Sequence, residues 1–444
     1  MANRKRIIVG AVVCCLLGVV GYAGGKFFST MKAVTNSYNP LVGWDLMKNP
    51  RNQFPGKSRV NILLIGKDYN HTNKGILYTK QARSDTLILF SFDLDNKKVS
   101  AISIPRDTYV PWRGGKINAA YTEGGEKLAR ETVGKLLGVT PDYSIALKAD
   151  AVKTMVDEIG GVEVTSLDKM KYDDNWGGLH IDLPEGTYNI NGDQAIGYTR
   201  FRKMNPGLPH SKEEGDLRRQ ARQQNLLRAL IAKAKSPSVL PNADKVINKA
   251  WTVIEPTLKK EQLFALATMY RDMNPSSMQT ASLFGEDSRA GRLYVWRMNE
   301  DKNRHLVDWL IKGDEKAADK LTVVAVQNGT KVRGAARKIA NVLKDEGFDA
   351  HPDRNPPPTE GVEEVAATKI VYRKAIFQPR AERIGRLLGV QNIVKDIPPV
   401  PTDGTKPTPV PTPFLEDPEN AADVTIVLGR DVAAQFVQER RASR

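Results

Sequence analysis

Three short apolar runs near the start of the chain constrain its fold most strongly. They occupy residues 60–66, 86–92 and 99–105, and each has the length and composition of a buried β-strand. The polar residues 93–98 separate the second run from the third, and a connection of this length suits a β-hairpin. The sequence therefore predicts a sheet that contains this hairpin.

The hairpin register predicts which charged residues meet at the ends of its strands. With the turn centred just after Asp95, Phe92 faces Val99 and Asp85 comes level with Arg106. Asp68 follows the first strand, and it joins the same edge if that strand runs antiparallel to the second. We therefore expect a group of charged side chains at one edge of the sheet.

Four segments place arginine or aspartate beside apolar runs. They are RSDT at 83–86, PRDT at 105–108, YTRFR at 198–202 and GDLRRQARQQ at 215–224. A guanidinium near a core surface needs an anionic partner, and its planar fork matches the oxygens of phosphate. The candidate phosphate ligands are Arg83, Arg106, Arg200, Arg202 and Arg219.

Asp68 and Asp85 allow two interpretations. Two carboxylates at one edge suit Mg²⁺, which uses one or two carboxylates together with substrate phosphates. The same carboxylates also suit an ion-pair network with Arg83 and Arg106. In KINAAY, Lys116, Asn118 and Tyr121 either line this edge or form a junction between a strand and a helix.

Two later elements carry further charged candidates. Residues 197–202 alternate as a strand would, with Tyr198, Arg200 and Arg202 on one face. Residues 216–235 have helical periodicity. One stripe along this helix is polar in the first turns and apolar in the turns that follow. That stripe consists of Asp216, Arg219, Gln223, Leu226, Leu227 and Leu230.

The N-terminus predicts export. Residues 7–25 carry no charge, and 19 helical residues at ~1.5 Å each span a bilayer core. Arg4, Lys5 and Arg6 precede this span and predict a cytoplasmic N-terminus with an extracellular remainder. A cleaved signal peptide is the alternative. The net charge of +15 favours anionic partners, and export argues against nucleic acid.

The domain organisation follows from these patterns. We predict a cytoplasmic segment 1–6, a transmembrane anchor 7–25, a spacer 26–58 and a first domain 59–314. Strands alternate with helices over residues 320–430, which predicts a small α/β domain with a proline-rich insertion at 396–413. A tail at 431–444 completes the chain.

The ordered motifs NILLIGKD, RSDT, PRDT, KINAAY, YTRFR and GDLRRQARQQ resemble the LytR–CpsA–Psr family of membrane-anchored cell-wall phosphotransferases. The resemblance covers roughly residues 59–314, and QNGT and VTIVLGRD resemble the C-terminal domain of many members. The chain departs from the family pattern in a longer segment at 204–215 and in Arg218, where a small residue is usual.

The resemblance implies an α/β/α fold with a central mixed sheet and a long apolar pocket for a polyprenyl chain. It implies that Asp68 and Asp85 bind Mg²⁺, and that Asp216 and Gln223 orient the arginines. The implied pyrophosphate ligands are Arg83, Arg106, Arg200, Arg202, Arg219 and Gln223. Arg106 would act in catalysis, and the general base is left open between Asp107 and Asp216.

The reaction implied moves a phosphorylated glycopolymer from a polyprenyl pyrophosphate carrier to a peptidoglycan hydroxyl, with N-acetylmuramic acid as the expected acceptor. Polyprenyl monophosphate would leave. Two alternatives remain open: a polyprenyl-pyrophosphate hydrolase, and a non-catalytic, membrane-tethered binder of anionic wall glycopolymer.

Overall fold

The computed structural model describes part of the chain. That part is residues 45–434 without 68–69, 72–76, 79–83, 148–150, 167–168, 175–178, 202–203, 205–221, 223–224, 227–228, 231, 234–235, 237, 240–242, 275–276, 354–363 and 397–421. The predicted anchor at 7–25 lies outside it. No helix within the described part has the length and apolar character needed to cross a bilayer. The chain divides into two compact units between Asn299 and Glu300.

The first unit contains strands β1–β16 and helices α1–α5, with short 3₁₀ helices at Pro50–Gln53 and Pro111–Arg113. The strands are β1 Arg59–Lys67, β2 Asn70–His71, β3 Leu77–Tyr78, β4 Ser84–Asp93, β5 Lys98–Ile104, β6 Tyr109–Val110, β7 Gly115–Lys116, β8 Tyr143–Leu147, β9 Val162–Ser166, β10 Met170–Asp174, β11 Leu179–Leu183, β12 Gly186–Ile190, β13 Ile254–Pro256, β14 Gln279–Ser282, β15 Gly285–Ala290 and β16 Leu293–Met298. The helices are α1 Ala119–Leu137, α2 Ala151–Glu158, α3 Gly192–Arg200, α4 Ala243–Val253 and α5 Lys260–Met269.

A mixed sheet forms the centre of this unit. Among the described strands its order is β13-β8-β1-β4-β5-β14. β4 runs antiparallel to both β1 and β5, whereas β8 is parallel to β1 and β14 is parallel to β5. Phe92 pairs with Val99, which confirms the predicted hairpin register. The carboxyl ends of β1, β5, β8 and β14 therefore lie at one edge of the sheet.

The sheet is buried on both faces. Ile62 and Leu64 of β1 are at most 3 % exposed on one face, and Leu63 and Ile65 are fully buried on the other. Strands that pack on both faces read as continuous apolar runs rather than alternating ones. This explains why NILLIG was recognisable as a strand.

The segment 45–58 packs into the first unit, although it was predicted to be part of a spacer. Leu46 and Phe54 are each 2 % exposed and belong to the apolar core of this unit. The Phe54 ring meets Tyr143 of β8 edge to face, with centroids 6.4 Å apart. This packing was not predicted, because Leu46 and Phe54 are isolated apolar residues among polar ones and form no periodic pattern.

The predicted strand at residues 197–202 is wrong, because residues up to Arg200 belong to helix α3. The Asn191 side chain accepts a hydrogen bond from the Gln194 backbone, and the Gln194 side chain accepts one from the Asn191 backbone. This capping box starts the helix at Gly192. Phe201, with ψ of 138°, then leaves it. The alternation of Tyr198 with Arg200 was too short to separate strand from helix.

The described residues between 222 and 233 are helical at 222, 225–226, 229–230 and 232–233. Leu226 and Leu230 are fully buried, which confirms the predicted apolar stripe in this part of the helix. The polar first turns, with Asp216, Arg219 and Gln223, lie outside the described residues.

The second unit is a small α/β domain, as predicted. It contains α6 Glu300–Val307, a π-helix Asp308–Lys312, α7 Glu315–Asp319, β17 Val323–Asn328, α8 Ala335–Asp345, β18 Asp349–Pro352, β19 Lys369–Tyr372, a 3₁₀ helix Ala375–Phe377, α9 Gln378–Leu388, β20 Ile393–Lys395 and β21 Val424–Leu428. Its described strands form one sheet in the order β18-β17-β21-β19-β20, in which only β19 and β21 pair antiparallel.

Candidate functional site

The carboxyl edge of the central sheet brings together residues that are distant in sequence. At the end of β1, Gly66 pairs with Thr86 and Lys67 pairs with Ser84 of β4. The antiparallel pairing of β1 with β4 is the condition under which Asp68 was expected at this edge. Ser84 is buried, and its hydroxyl donates to the Asn118 carbonyl at 3.4 Å. The RSDT and KINAAY segments thus meet here.

PRDT forms a tight turn at the end of β5. The Thr108 amide and hydroxyl both donate to the Pro105 carbonyl, at 3.0 and 2.6 Å. Because the chain turns there, the hairpin pairing ends at Leu87 and Ile104, before the level of Asp85 and Arg106. Arg106 therefore lies at the predicted edge, but in a turn instead of a strand pair.

An ion-paired cluster occupies this turn. The Lys116 ammonium lies 2.8 Å from one carboxylate oxygen of Asp107, and Arg106 Nε lies 3.8 Å from the other. The three side chains are 25–31 % exposed. Both cations contact the same carboxylate. A partly exposed cluster of this kind can bind an anion.

Backbone hydrogen bonds hold the cluster in place. The Asn118 amide donates to the Arg106 carbonyl at 3.2 Å, and the Ile117 amide donates to the Thr108 carbonyl at 2.9 Å. KINAAY supplies β7, the helix start at Ala119 and the cluster cation Lys116. Both interpretations of this segment are therefore correct, because the junction between strand and helix lines the edge.

Sequence reasoning missed a second ionic group at the same edge. Lys67, at the end of β1, pairs with Glu255 of β13, and its ammonium lies 5.3 Å from the centroid of the Tyr121 ring. Burial opposes the charge on Lys67, but hydrogen bonds to Glu255 and Tyr121 outweigh it and raise the Lys67 pKa. Burial also raises the pKa of Tyr121. The position of a lysine directly after an apolar strand was the available signal.

A glycine pair places Tyr121 in a short first segment of α1. Gly124 and Gly125 have non-helical backbone angles, and Gly125 has φ of +61°, which favours glycine. The resulting kink separates the Tyr121 segment from the longer part of the helix. The direction of this short segment therefore depends on the glycine pair.

The structure does not describe the side chains of most other predicted site residues. Asp68, Arg83, Arg202, Asp216, Arg219 and Gln223 lie outside the described residues. Asp85 lies in β4, but only its backbone is described. Arg200 is the exposed last residue of α3, so the strand alternation that grouped it with Arg202 does not exist. Among the described candidates, Lys116 is the residue that the fold brings to the neighbouring Arg106 and Asp107.

The donor chemistry of this edge fits a hard cation only if Asp68 and Asp85 contribute. The described side chains contain no group of three or more histidine, cysteine, aspartate or glutamate residues suited to a metal ion. The strand register nevertheless sets the backbone of Asp85 beside the end of β1. Two carboxylates with phosphate oxygens would form an oxygen donor set suited to Mg²⁺.

An apolar cavity lies on one face of the sheet. It is bounded by three strands and by α5, and its volume of about 10 Å³ leaves room for about one water molecule. Its lining consists of Ile62, Leu64, Phe90, Phe92, Ile145, Leu263 and Leu266. No polar side chain lines it, so it suits hydrocarbon. The long apolar pocket implied by the family resemblance stays a prediction.

Two family models match the chain. Residues 28–312, more than half of the chain, match the LytR_cpsA_psr family. Residues 321–431 match a model described as LytR cell envelope-related transcriptional attenuator.

Curated relatives and solved structures match more than half of the chain. The chain is 32 % identical over 296 residues to the polyisoprenyl-teichoic acid–peptidoglycan teichoic acid transferase TagV of Bacillus subtilis, covering 65 % of this chain and 72 % of the relative. It is 31 % identical over 278 residues to TagU of Bacillus cereus, a transferase of the same description, covering 61 % and 84 %. The crystal structure of B. subtilis TagV matches with 29 % identity and a TM-score of 0.45, covering 58 % of this chain and 98 % of that one.

Proposed function

Because the chain belongs to the LytR–CpsA–Psr family, we propose that it transfers a phosphorylated glycopolymer from a polyprenyl pyrophosphate carrier to a hydroxyl of peptidoglycan. The acceptor is N-acetylmuramic acid, and polyprenyl monophosphate is released. Relatives described as teichoic acid–peptidoglycan transferases support the transfer of a wall glycopolymer. The observation that carries the proposal is the cationic cluster of Arg106, Asp107 and Lys116 at the carboxyl edge.

The cluster suits phosphoryl transfer. The acceptor oxygen attacks the phosphorus that bears the glycan, the bond from that phosphorus to the polyprenyl phosphate breaks, and the hydroxyl proton passes to a base. This chemistry depends on positioning and charge stabilisation more than on covalent catalysis. Arg106 binds the pyrophosphate, while Asp107 and Lys116 orient it. Arg83, Arg200, Arg202, Arg219 and Gln223 are the further proposed ligands.

Asp68 and Asp85 are the proposed Mg²⁺ ligands. When bound, the ion would neutralise part of the pyrophosphate charge. The support is the pairing of β1 with β4, which sets the start of β4 beside the end of β1. Asp107 and Asp216 remain the two proposed bases, and Asp107 is ion-paired with Lys116.

The polyprenyl chain is proposed to enter the first unit on the cavity side of the sheet. The cavity lining is entirely apolar, which is the environment that a hydrocarbon chain requires. The predicted span at residues 7–25 would tether the chain to the membrane that holds this lipid.

The test uses the purified full chain in detergent with Mg²⁺, polyprenyl-pyrophosphoryl glycan and peptidoglycan. We expect covalent glycan phosphate on the peptidoglycan and an equal amount of polyprenyl monophosphate. Release of the monophosphate without attachment would instead identify a hydrolase, and stable binding without turnover would identify a non-catalytic binder. Asp85→Ala combined with Arg106→Ala should abolish transfer, and full activity of this variant would refute the site.

A further inference from the structure

Tyr121 lies at the carboxyl edge of the central sheet, on the side of β1. The Lys67 ammonium, at the end of β1, is 5.3 Å from the centroid of the Tyr121 ring. The register of β1 with β4 pairs Lys67 with Ser84. In the sequence, Asp68 follows Lys67 and Asp85 follows Ser84. Tyr121 is therefore located where the chain reaches the two proposed Mg²⁺ ligands.

The start of α1, which carries Tyr121, is fixed to both strand ends of the candidate site. The Asn118 carbonyl accepts a hydrogen bond from the Ser84 hydroxyl at 3.4 Å, and the Asn118 amide donates to the Arg106 carbonyl at 3.2 Å. The glycine kink that follows separates this first segment from the rest of α1. The position of Tyr121 is thus set by the RSDT and PRDT segments.

The Tyr121 hydroxyl can still donate a hydrogen bond. Lys67 is hydrogen-bonded to it and paired with Glu255, and an ammonium group only donates, so the tyrosine oxygen is the acceptor. Within the part of the chain that the structure describes, no group accepts the tyrosine proton. Burial raises the pKa of Tyr121, so the hydroxyl keeps this proton at neutral pH. It is a neutral donor suited to an anionic oxygen.

Tyr121 and the cationic cluster flank the start of β4. β4 lies between β1 and β5 in the sheet. Neighbouring strands are ~4.8 Å apart, so the ends of β1 and β5 are about 10 Å from each other. Tyr121 is on the β1 side, and Arg106 with Lys116 is on the β5 side. A pyrophosphate group over the start of β4 would have donors on both sides.

We propose that the Tyr121 hydroxyl donates a hydrogen bond to a phosphate oxygen of the lipid-linked pyrophosphate. The inference rests on the proposed function, because it adds a ligand for the donor substrate to the same site. When the bond between the two phosphates breaks, the leaving phosphate takes the electron pair. A fixed donor beside it stabilises that charge, and the tyrosine keeps its proton. Lys67, held by Glu255, orients the hydroxyl.

The first test measures binding of polyprenyl pyrophosphate to the full chain in detergent with Mg²⁺, without an acceptor. We expect Tyr121→Phe to raise the Kd about tenfold, because one hydrogen bond to a charged group is lost. The ring remains, so thermal unfolding and the KM for peptidoglycan should be unchanged. Tyr372→Phe removes a tyrosine hydroxyl that is bonded to Gln378 in the second unit, and this control should bind as the parent chain does.

A second comparison separates a direct contact from an effect that passes through Lys67. Tyr121→Phe should weaken lipid binding further in a chain that already carries Lys67→Met. If the double variant binds the lipid as Lys67→Met alone does, Tyr121 only holds Lys67 in place and the inference is overturned.

The binding measurement also keeps this inference apart from the proposed function. If the parent chain binds the pyrophosphate lipid but transfers no glycan to peptidoglycan, the proposed function fails, yet Tyr121→Phe should still lose affinity. If the parent chain transfers glycan and Tyr121→Phe keeps both its affinity and its transfer rate, the function stands and Tyr121 is not a ligand.

Discussion

The two units use the same charged residue types in opposite ways. At the carboxyl edge of the first unit, Arg106 and Asp107 are 31 % and 30 % exposed and lie in a turn. In the second unit, Arg380 of α9 is 3 % exposed, bonds to Glu315 and lies 4.6 Å from the Trp309 ring. Arg383 pairs with Asp319, whose side chain is 6 % exposed.

The difference lies in where each arginine stands and what it covers. Arg380 is buried against Glu315 and the Trp309 ring, and Arg383, itself 31 % exposed, covers the buried Asp319 carboxylate, so both hold parts of the second unit together. In the first unit, the cluster of Arg106, Asp107 and Lys116 lies in a turn at the edge of the sheet, and its side chains are 25–31 % exposed. A similar pattern of arginine beside apolar residues therefore serves stability in one unit and, we propose, ligand binding in the other.

Removing Arg106 should give the largest effect and should separate binding from stability. We expect Arg106→Ala to lower glycan transfer by about 10³-fold, because one charge-stabilising donor is worth ~10²–10³ in rate. Thermal unfolding should stay almost unchanged, since the side chain is partly exposed. Arg271→Ala, which removes an exposed arginine paired with Asp272, should leave transfer intact. Equal losses in both variants would show a general charge effect.

In contrast to Arg106→Ala, removal of Arg383 in the second unit should lower the stability of the protein. Arg383→Ala leaves the buried Asp319 carboxylate without its main partner, and we expect a loss of about 3 kcal/mol in the free energy of unfolding at neutral pH. Denaturant unfolding followed by tryptophan fluorescence measures it. Arg386→Ala, on the same helix, is the control.

The loss in Arg383→Ala should depend on pH. Burial raises the pKa of Asp319, and Arg383 opposes that rise. The stability linked to this carboxyl is present below its unfolded pKa and is lost as the pH rises through the raised folded pKa. Removing Arg383 raises the folded pKa further. The destabilisation should therefore shrink as the pH falls, and a pH-independent loss would contradict this assignment.

Replacing Lys67 should change the stability only slightly. Lys67→Met exchanges a buried cation for an apolar side chain of similar length and leaves Glu255, which is 45 % exposed, in contact with water. We expect less than about 1 kcal/mol of destabilisation but about tenfold slower transfer, because Lys67 is next to the proposed ligand Asp68. Lys153→Met, which also removes a lysine paired with a carboxylate, should leave transfer unchanged. Unaltered transfer in Lys67→Met would remove Lys67 from the site.

The sequence predicted the sheet well because local rules determine it. The apolar runs marked β1, β4 and β5, and the length of the polar connection set the pairing of Phe92 with Val99. Local rules gave the wrong element at residues 197–200. There the capping box at Asn191 and the burial of Tyr198 stabilise a helix. An alternation of polar and apolar residues over six positions predicts neither the capping box nor the burial.

The candidate site was predictable in part. Arg106 and Asp107 were recognised because charge next to a strand is unusual, and their place at the edge followed from the hairpin. The pair of Lys67 with Glu255 was missed, because these residues are far apart in sequence and meet only through the pairing of β8 with β13, whereas Tyr121, which lies beside Lys67, was among the residues considered for this edge.

The sequence by itself determined the strands, the hairpin register, the small α/β character of the second unit and the residue types available for binding phosphate. These properties depend on neighbours in the chain and on apolar periodicity. The tertiary structure alone decided how far each charged residue is exposed and which charged residues from distant parts of the chain meet. Pairs such as Lys67 with Glu255 and Arg383 with Asp319 depend on the packing of the whole unit, and no local pattern encodes them.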